Sequence, residues 1–293
     1  MPSAIVLCAG FGTRLRPLTE ELPKPLVPVG DRSILEHTLA TLSAAGFAEA
    51  VINVHYLPEV FRAVLARVSL PVRVVTETEI RGTAGGVAGA REYLSDGPVL
   101  VWNGDILAEP PIEQLLERTA RDSVCFAVSA RPVGEGTVGL DELGHVVRLR
   151  GERFGTEARG ADYVGVLTLG AEVMNELPRH GCLFGDAVLP RLRAGGIVTS
   201  VSVAGPWSDL GDPRSLLAAN LAWLAERGLE SFVGEGSQVG AGVLLRRSLV
   251  GHRAQVQGEG TLERCVICPG GIATAPLRDS IVLPSGRVMG VHV

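Results

Sequence analysis

Apolar residues in this chain come in short unbroken runs, and most runs are followed by a stretch in which they recur every three or four positions. The first run, Ile5-Val6-Leu7-Cys8, has no polar alternation, as expected of a strand buried on both faces. Further strands are expected at 50–55, 72–77, 99–102, 124–129, 163–169 and 196–203, with helices at 33–46, 58–68, 85–94, 112–121, 171–177 and 215–226. Between 134 and 159 glycines and charges blur the pattern, which reads as a hairpin excursion. Strand and helix alternate, so the fold class is α/β, a doubly wound and mostly parallel sheet whose ligands sit at the carboxyl ends of the strands. Beyond Leu229 the period changes. Val233, Val239 and Leu245 are six apart, and after a slip so are Val250, Val256, Leu262 and Cys268, the hexad spacing of a parallel β-helix. Two domains are therefore expected, 1–228 and 229–293.

Composition narrows the picture. With 293 residues, 46% hydrophobic and 20% charged, there is material for a large core. A net charge of −5 leaves no basic surplus for nucleic acid, so the cations of the first loop are local equipment. No apolar run approaches the roughly 20 residues of a membrane span, and the N-terminus lacks the charged start and cleavage site of a secretory leader. A cytoplasmic protein is expected. The five cysteines are scattered, and the lone Cys265-x-x-Cys268 has no second pair or histidine at ligand spacing, so it reads as packing inside or at the corners of the tail.

The chemistry concentrates behind the first strand. Gly10-Phe11-Gly12-Thr13-Arg14-Leu15-Arg16-Pro17-Leu18-Thr19 is followed by Pro23-Lys24-Pro25-Leu26. Two glycines let backbone N–H groups approach a phosphate chain, Arg14, Arg16 and Lys24 bring three cations, and two prolines stiffen the presentation of Lys24. This reads as a triphosphate site. It is neither a P-loop nor a dinucleotide fingerprint, since no Gly-Lys-Ser/Thr follows and Leu15 stands in the third glycine's place. The string closely resembles the signature of the sugar-1-phosphate nucleotidylyltransferases, and with Gly82-Thr83-Ala84-Gly85 it is closest to members of the mannose-1-phosphate guanylyltransferase type.

The resemblance implies a Rossmann-like nucleotidyltransferase domain, a short C-terminal left-handed parallel β-helix, and transfer of a nucleotidyl group from a nucleoside triphosphate to a sugar 1-phosphate with release of pyrophosphate. It implies Mg2+ held by Asp105 and Asp209, catalytic roles for Arg14, Lys24 and Asp105, and nucleotide contacts from Leu7, Ala9, Gly10, Gly12, Thr13, Glu77, Gly82, Thr83, Asn103 and Gly104. Glu77 stands where thymidylyl relatives carry glutamine; as a pure acceptor it suits guanine's adjacent N–H donors, so GTP is ranked first and UTP second. Two departures mark the sugar side. The family's Glu-Lys-Pro is absent, leaving Arg148, Arg150 or Arg153 to supply its cation, and its Asn-Ala-Gly is replaced by Tyr163-Val164-Gly165. Arg150, Tyr163 and Gly165 are the sugar-phosphate candidates. A β-helix of few coils needs an end cap or another subunit, which makes a homo-oligomer through the tail an expectation. The rivals are a silent nucleotide-sugar sensor, which the retention of Arg14, Lys24, Asp105 and Asp209 argues against, and a cytidylyltransferase for a small alcohol such as phosphocholine, whose ammonium cage would begin with Tyr163 and Trp207.

Overall fold

The computed structural model describes residues 2–292, which form two compact units. The first comprises residues up to Gly10, Thr38–Pro58 and Leu65–Trp207; the second comprises Phe11–His37, Glu59–Val64 and Ser208 onward.

Ten strands make the sheet of the first unit: β1 (Ser3–Leu7), β2 (Ala50–Val54), β3 (Val72–Thr76), β4 (Val99–Asn103), β5 (Val124–Arg131), β6 (Val138–Leu140), β7 (Val146–Leu149), β8 (Glu152–Arg153), β9 (Arg159–Leu169) and β10 (Val198–Ser202). Their order is β8-β7-β6-β9-β4-β1-β2-β3, with β5 pairing both β9 and β10. The apolar runs occupy its centre: Val6 lies beside Ile52 on one neighbour and Trp102 on the other, in parallel register. Parallel pairing joins β1, β2, β3 and β4, and again β5 and β10. The hairpin excursion has a structural use, because β6 and β7 return the chain antiparallel so that β9 can join β4, β5 and β6. Residues 163–165 therefore lie on an antiparallel strand. Its pairing with β5 shifts between Tyr163 and Leu167, a β-bulge that re-aims the side chains there.

Seven helices of five residues or more connect these strands or follow them among the described residues: α1 (Ile34–Ala44), α2 (Pro58–Leu65), α3 (Gly82–Gly89), α4 (Ile112–Glu117), α5 (Ala171–Glu176), α6 (Leu189–Arg193) and α7 (Pro213–Glu226). A π-helical turn, Leu183–Val188, precedes α6. None is long and apolar enough to cross a membrane.

In the second unit, β11 (Phe232–Val233), β12 (Gln238–Val239), β13 (Val243–Arg246), β14 (Leu249–Val250), β15 (Gln255–Ile267), β16 (Ile272–Val282) and β17 (Val288–Gly290) form a separate sheet. Strands 17 residues apart stack in parallel, Val233 on Val250, Val239 on Val256, Leu245 on Leu262 and Val250 on Ile267, while β17 pairs antiparallel with β16. Val250, Val256, Leu262 and Cys268 of the hexad are buried and Val239 and Leu245 pack against them, whereas Val233, on the opening strand, is 46% exposed. Burial pushes the Cys265 thiol up to about 11 and the Cys268 thiol up to about 12.

The stack also fastens the stretch that carries the first-loop cations. The Ser285 N–H and hydroxyl both donate to the Glu21 carboxylate, at 2.9 and 2.6 Å, and Arg287 lies 3.8 Å from Glu20. His252 meets the Asp31 carbonyl at 3.1 Å. The Glu235 N–H donates to the other ring nitrogen, so the proton sits on Nε2 and is given to that carbonyl. From α7, buried Asn220 accepts from the Gly30 N–H and donates to the Pro28 carbonyl.

Candidate functional site

In the first unit the expected residues gather at the carboxyl ends of the parallel strands. Leu7 ends β1 and its carbonyl accepts from the Gly104 N–H at 2.9 Å, which prolongs the β1–β4 pairing by one step and sets Asn103, Gly104 and Asp105 beside the exit of β1. Ala9 is buried and Gly10 exposed at that exit. Asp105 is half-buried, and its charge, second to burial, raises both the Cys8 thiol and the Tyr163 phenol, which locates the carboxylate near both. Gly165, at the bulge of β9, faces Ile106 and the Asn103 amide.

Gly82 and Thr83 open α3. Gly82 has φ +74, and a Cβ there would lie 2.4 Å from the Gly181 carbonyl, so only glycine fits. Gly181 fastens this turn on both sides, donating to the Arg81 carbonyl and accepting from the Ala84 N–H, while the Thr83 hydroxyl accepts from the Leu183 N–H. The helix accordingly begins three residues earlier than the sequence suggested. Its start is set by a segment a hundred residues away.

Glu77 is not at a solvated strand end. It is buried, accepting from the Asn53 side-chain amide at 2.8 Å and from the Arg81 N–H at 3.3 Å.

Of the three candidate cations, Arg148 and Arg150 separate cleanly. Arg148 gives two hydrogen bonds to Glu157 and three to the carbonyls of Glu135, Gly136 and Val138. Its guanidinium holds the Glu157 carboxyl down at about 2, with the Arg153 charge a smaller cause of the same sign. Arg148 is thus consumed by the hairpin. Arg150 is exposed, in the left-handed region at φ +49, with its guanidinium 5.7 Å from the Phe184 ring centre and 3.2 Å from Cys182 Sγ. Phe184 in turn packs on Phe126 and Tyr163, with ring centres 5.1 and 4.8 Å away. Arg150, Cys182, Phe184 and Tyr163 therefore form one cluster beside Thr83.

Cys182 is the half-exposed member of the cysteines. Burial raises its thiol, but the N–H groups of Gly185 and Phe184, the Thr83 hydroxyl and the Arg150 charge outweigh that and bring it below its ordinary range. Iodoacetamide at pH 7 should therefore alkylate Cys182 about tenfold faster than the four buried cysteines, read by peptide mass mapping of briefly treated native protein. Equal labelling of all five would contradict it.

In the second unit, Gly12, Thr13, Arg14, Lys24 and Asp209 come together. The Thr19 hydroxyl donates to the Gly12 carbonyl at 2.8 Å, closing the turn on which Thr13 and Arg14 are exposed. Lys24, only 8% exposed, lies in a 3-10 turn with its ammonium 3.6 Å from the Asp209 carboxylate, and Arg14 approaches the same carboxylate at 3.8 Å. A buried ammonium is costly without such a partner. Glu20 meets Arg287 and Glu21 meets Ser285.

The donor chemistry fits Mg2+. Asp105 and Asp209 are hard oxygen donors, and magnesium takes one or two carboxylates and completes its shell from phosphates and water. Asn53, Gly181, Cys182 and Phe184 were not singled out from sequence. The one local signal was Asn53, an amide inside the apolar run Val51-Ile52-Asn53-Val54.

Residues 3–226 match the family described as Nucleotidyl transferase. A mannose-1-phosphate guanylyltransferase of Mycobacterium tuberculosis is 31% identical over 290 residues, covering 91% of this chain and 80% of that protein. A probable mannose-1-phosphate guanylyltransferase 1 of Oryza sativa subsp. japonica is 28% identical over 88% of this chain and 74% of its own length. Among solved structures, HddC from Yersinia pseudotuberculosis superposes with a TM-score of 0.65 at 20% identity, over 76% of this chain and all of that one; a second structure of it, complexed with GMP-PN, gives 0.64.

Proposed function

The chain belongs to the nucleotidyl transferase family and is an enzyme of it, and from that premise we propose that it is a sugar-1-phosphate nucleotidylyltransferase, with GTP and mannose 1-phosphate as the favoured pair. On this reading residues 1–228 carry the chemistry on a doubly wound sheet and residues 229–293 form a left-handed parallel β-helix. The observation that carries the proposal is Lys24, an ammonium buried beside the glycine-rich, arginine-bearing turn and matched to Asp209. Such a group suits charge that appears only during reaction, as when two anions are joined. The guanylyltransferase names of the relatives support the choice of base, as does the acceptor chemistry of Glu77.

A phosphate oxygen of the sugar 1-phosphate attacks the α-phosphorus, the bond to the bridging oxygen breaks, and its electron pair leaves with pyrophosphate. No proton need be moved, so the protein's work is alignment and charge neutralisation. Backbone N–H groups of the Gly10–Gly12 turn and Arg14 take the β- and γ-phosphates. Lys24 neutralises charge gathering around the α-phosphate. Asp105 and Asp209 would hold Mg2+, which when bound neutralises phosphate oxygens as a Lewis acid. Arg150 supplies the cation for the sugar phosphate, since Arg148 is saturated, and Tyr163 with Phe184 gives an apolar face for the sugar ring.

Pyrophosphate release measured with GTP, UTP, dTTP and CTP against a panel of sugar 1-phosphates tests the reading. Turnover best with GTP and mannose 1-phosphate is expected; nucleotide binding with no release from any pair would overturn it in favour of a sensor. Arg150→Ala should raise KM for the sugar phosphate about tenfold and leave KM for the nucleotide unchanged, one charge-assisted contact being removed. Equal changes in both constants would count against Arg150.

A further inference from the structure

We propose that Asn53 is a positioning residue that locks the two nucleotide-facing loops of the first unit to each other by orienting the Glu77 carboxylate. The inference rests on reading Glu77 as the acceptor for the base and adds the residue that makes it one.

Asn53 is the fourth of the five residues of β2, flanked by Ile52 and Val54, and is 2% exposed. Its amide is oriented without ambiguity. The Cys8 N–H can only donate, so the oxygen faces it, at 2.9 Å; the Glu77 carboxylate can only accept, so the NH2 faces that, at 2.8 Å. The other Glu77 oxygen accepts from the Arg81 N–H, the residue before Gly82. A single buried relay thus runs from the exit of β1, through Asn53 and Glu77, to the head of α3. Both of its ends lie one or two residues from the backbone expected to contact the nucleotide.

Two further observations point the same way. Gly86, one turn into α3, is where a Cβ would fall 2.5 Å from the Asn53 NH2 and 3.2 Å from Glu77, so the helix makes room for this pair. The donors that reach Glu77 are an amide and a backbone N–H, two hydrogen bonds on a group with about four acceptor positions. A carboxylate so buried and half satisfied has capacity for two more donors. Guanine's N1–H and N2–H form such a pair, while uracil and thymine offer a single ring N–H.

Asn53→Asp tests this with almost no change of shape. The acceptor for the Cys8 N–H is kept, but an oxygen replaces the donor against Glu77; when both carboxylates are ionised they repel, and that repulsion raises the pH at which the last proton is lost. Near pH 8 the variant should show a KM for GTP raised about tenfold, an unchanged KM for the sugar phosphate, and a smaller GTP-over-UTP preference. On acidification a proton shared between the two carboxylates restores their hydrogen bond, and KM for GTP should fall back toward that of the unaltered enzyme. His55, whose ring Nδ1 lies 2.9 Å from the Glu77 carbonyl, the Cys8 thiol, Arg81 and the Asp105 charge surround the relay, so the unaltered enzyme's pH profile is the reference. Asn53→Ala should raise KM for GTP without acid recovery, and it keeps the test available if Asn53→Asp does not fold. Equal loss in both KM values and kcat, with base preference and pH profile unmoved, would reduce Asn53 to a structural role and overturn the proposal. Should the unaltered enzyme prefer UTP, the base reading fails by itself; the relay is then judged by the KM of whichever nucleotide is used.

Discussion

Asp105→Asn is expected to lower kcat about a thousandfold, the loss of roughly 4 kcal/mol of transition-state stabilisation, while the protein melts within a few degrees of the unaltered one. The size of the effect follows from the position. Asp105 stands just past β4, half-buried, with its charge felt at Cys8 and Tyr163, and on the proposed reading a neutral isostere there would remove one of the two carboxylates that hold the metal. Pyrophosphate release across a magnesium titration checks it. The variant should need more Mg2+ for half its own maximal rate, and unchanged rates would remove Asp105 from the chemistry.

Lys24→Met should cost about a hundred- to a thousandfold in kcat, in the range found when one preorganised stabilising donor is removed. Its effect on stability should be opposite or absent. Lys24 is 8% exposed, methionine has nearly its length and shape, and replacing a buried charge with an apolar side chain is often neutral or favourable when its partner can still be solvated. Asp209 is exposed and retains Arg14, so it is not stranded. Pre-steady-state quenching should put the loss in the chemical step, with KM for GTP little altered. A large loss of thermal stability with normal kcat per folded molecule would make Lys24 structural.

The strands were legible because their signal is local: Val99-Leu100-Val101-Trp102 has no polar position, and such a run buries on both faces wherever it sits. The glycine and lysine motifs were legible for a similar reason, as their chemistry is written in adjacent residues. What sequence left open depended on partners far along the chain. Arg148 and Arg150 are two residues apart and alike on paper, yet one is held by Glu157 and three carbonyls while the other rests on Phe184 and Cys182. The start of α3 depends on Gly181, and the burial of Glu77 on Asn53. Tyr163 was expected on a strand, but its antiparallel sense and bulge follow from a hairpin whose pattern was the weakest in the chain.

The hydrogen bonds from Ser285 to Glu21, from His252 to Asp31 and from Asn220 to Gly30 have a consequence for anyone building chimaeras. The tail cannot be exchanged as a contiguous cassette. A donor tail grafted after Leu229 would meet a recipient stretch 11–37 shaped to a different surface, and the mismatch would fall on the segment bearing Lys24. The transferable piece is discontinuous, residues 11–37 and Glu59–Val64 travelling with everything from Ser208 onward. Recombination between related genes would meet the same constraint, with crossovers inside 38–207 separating two stretches that hydrogen-bond to each other.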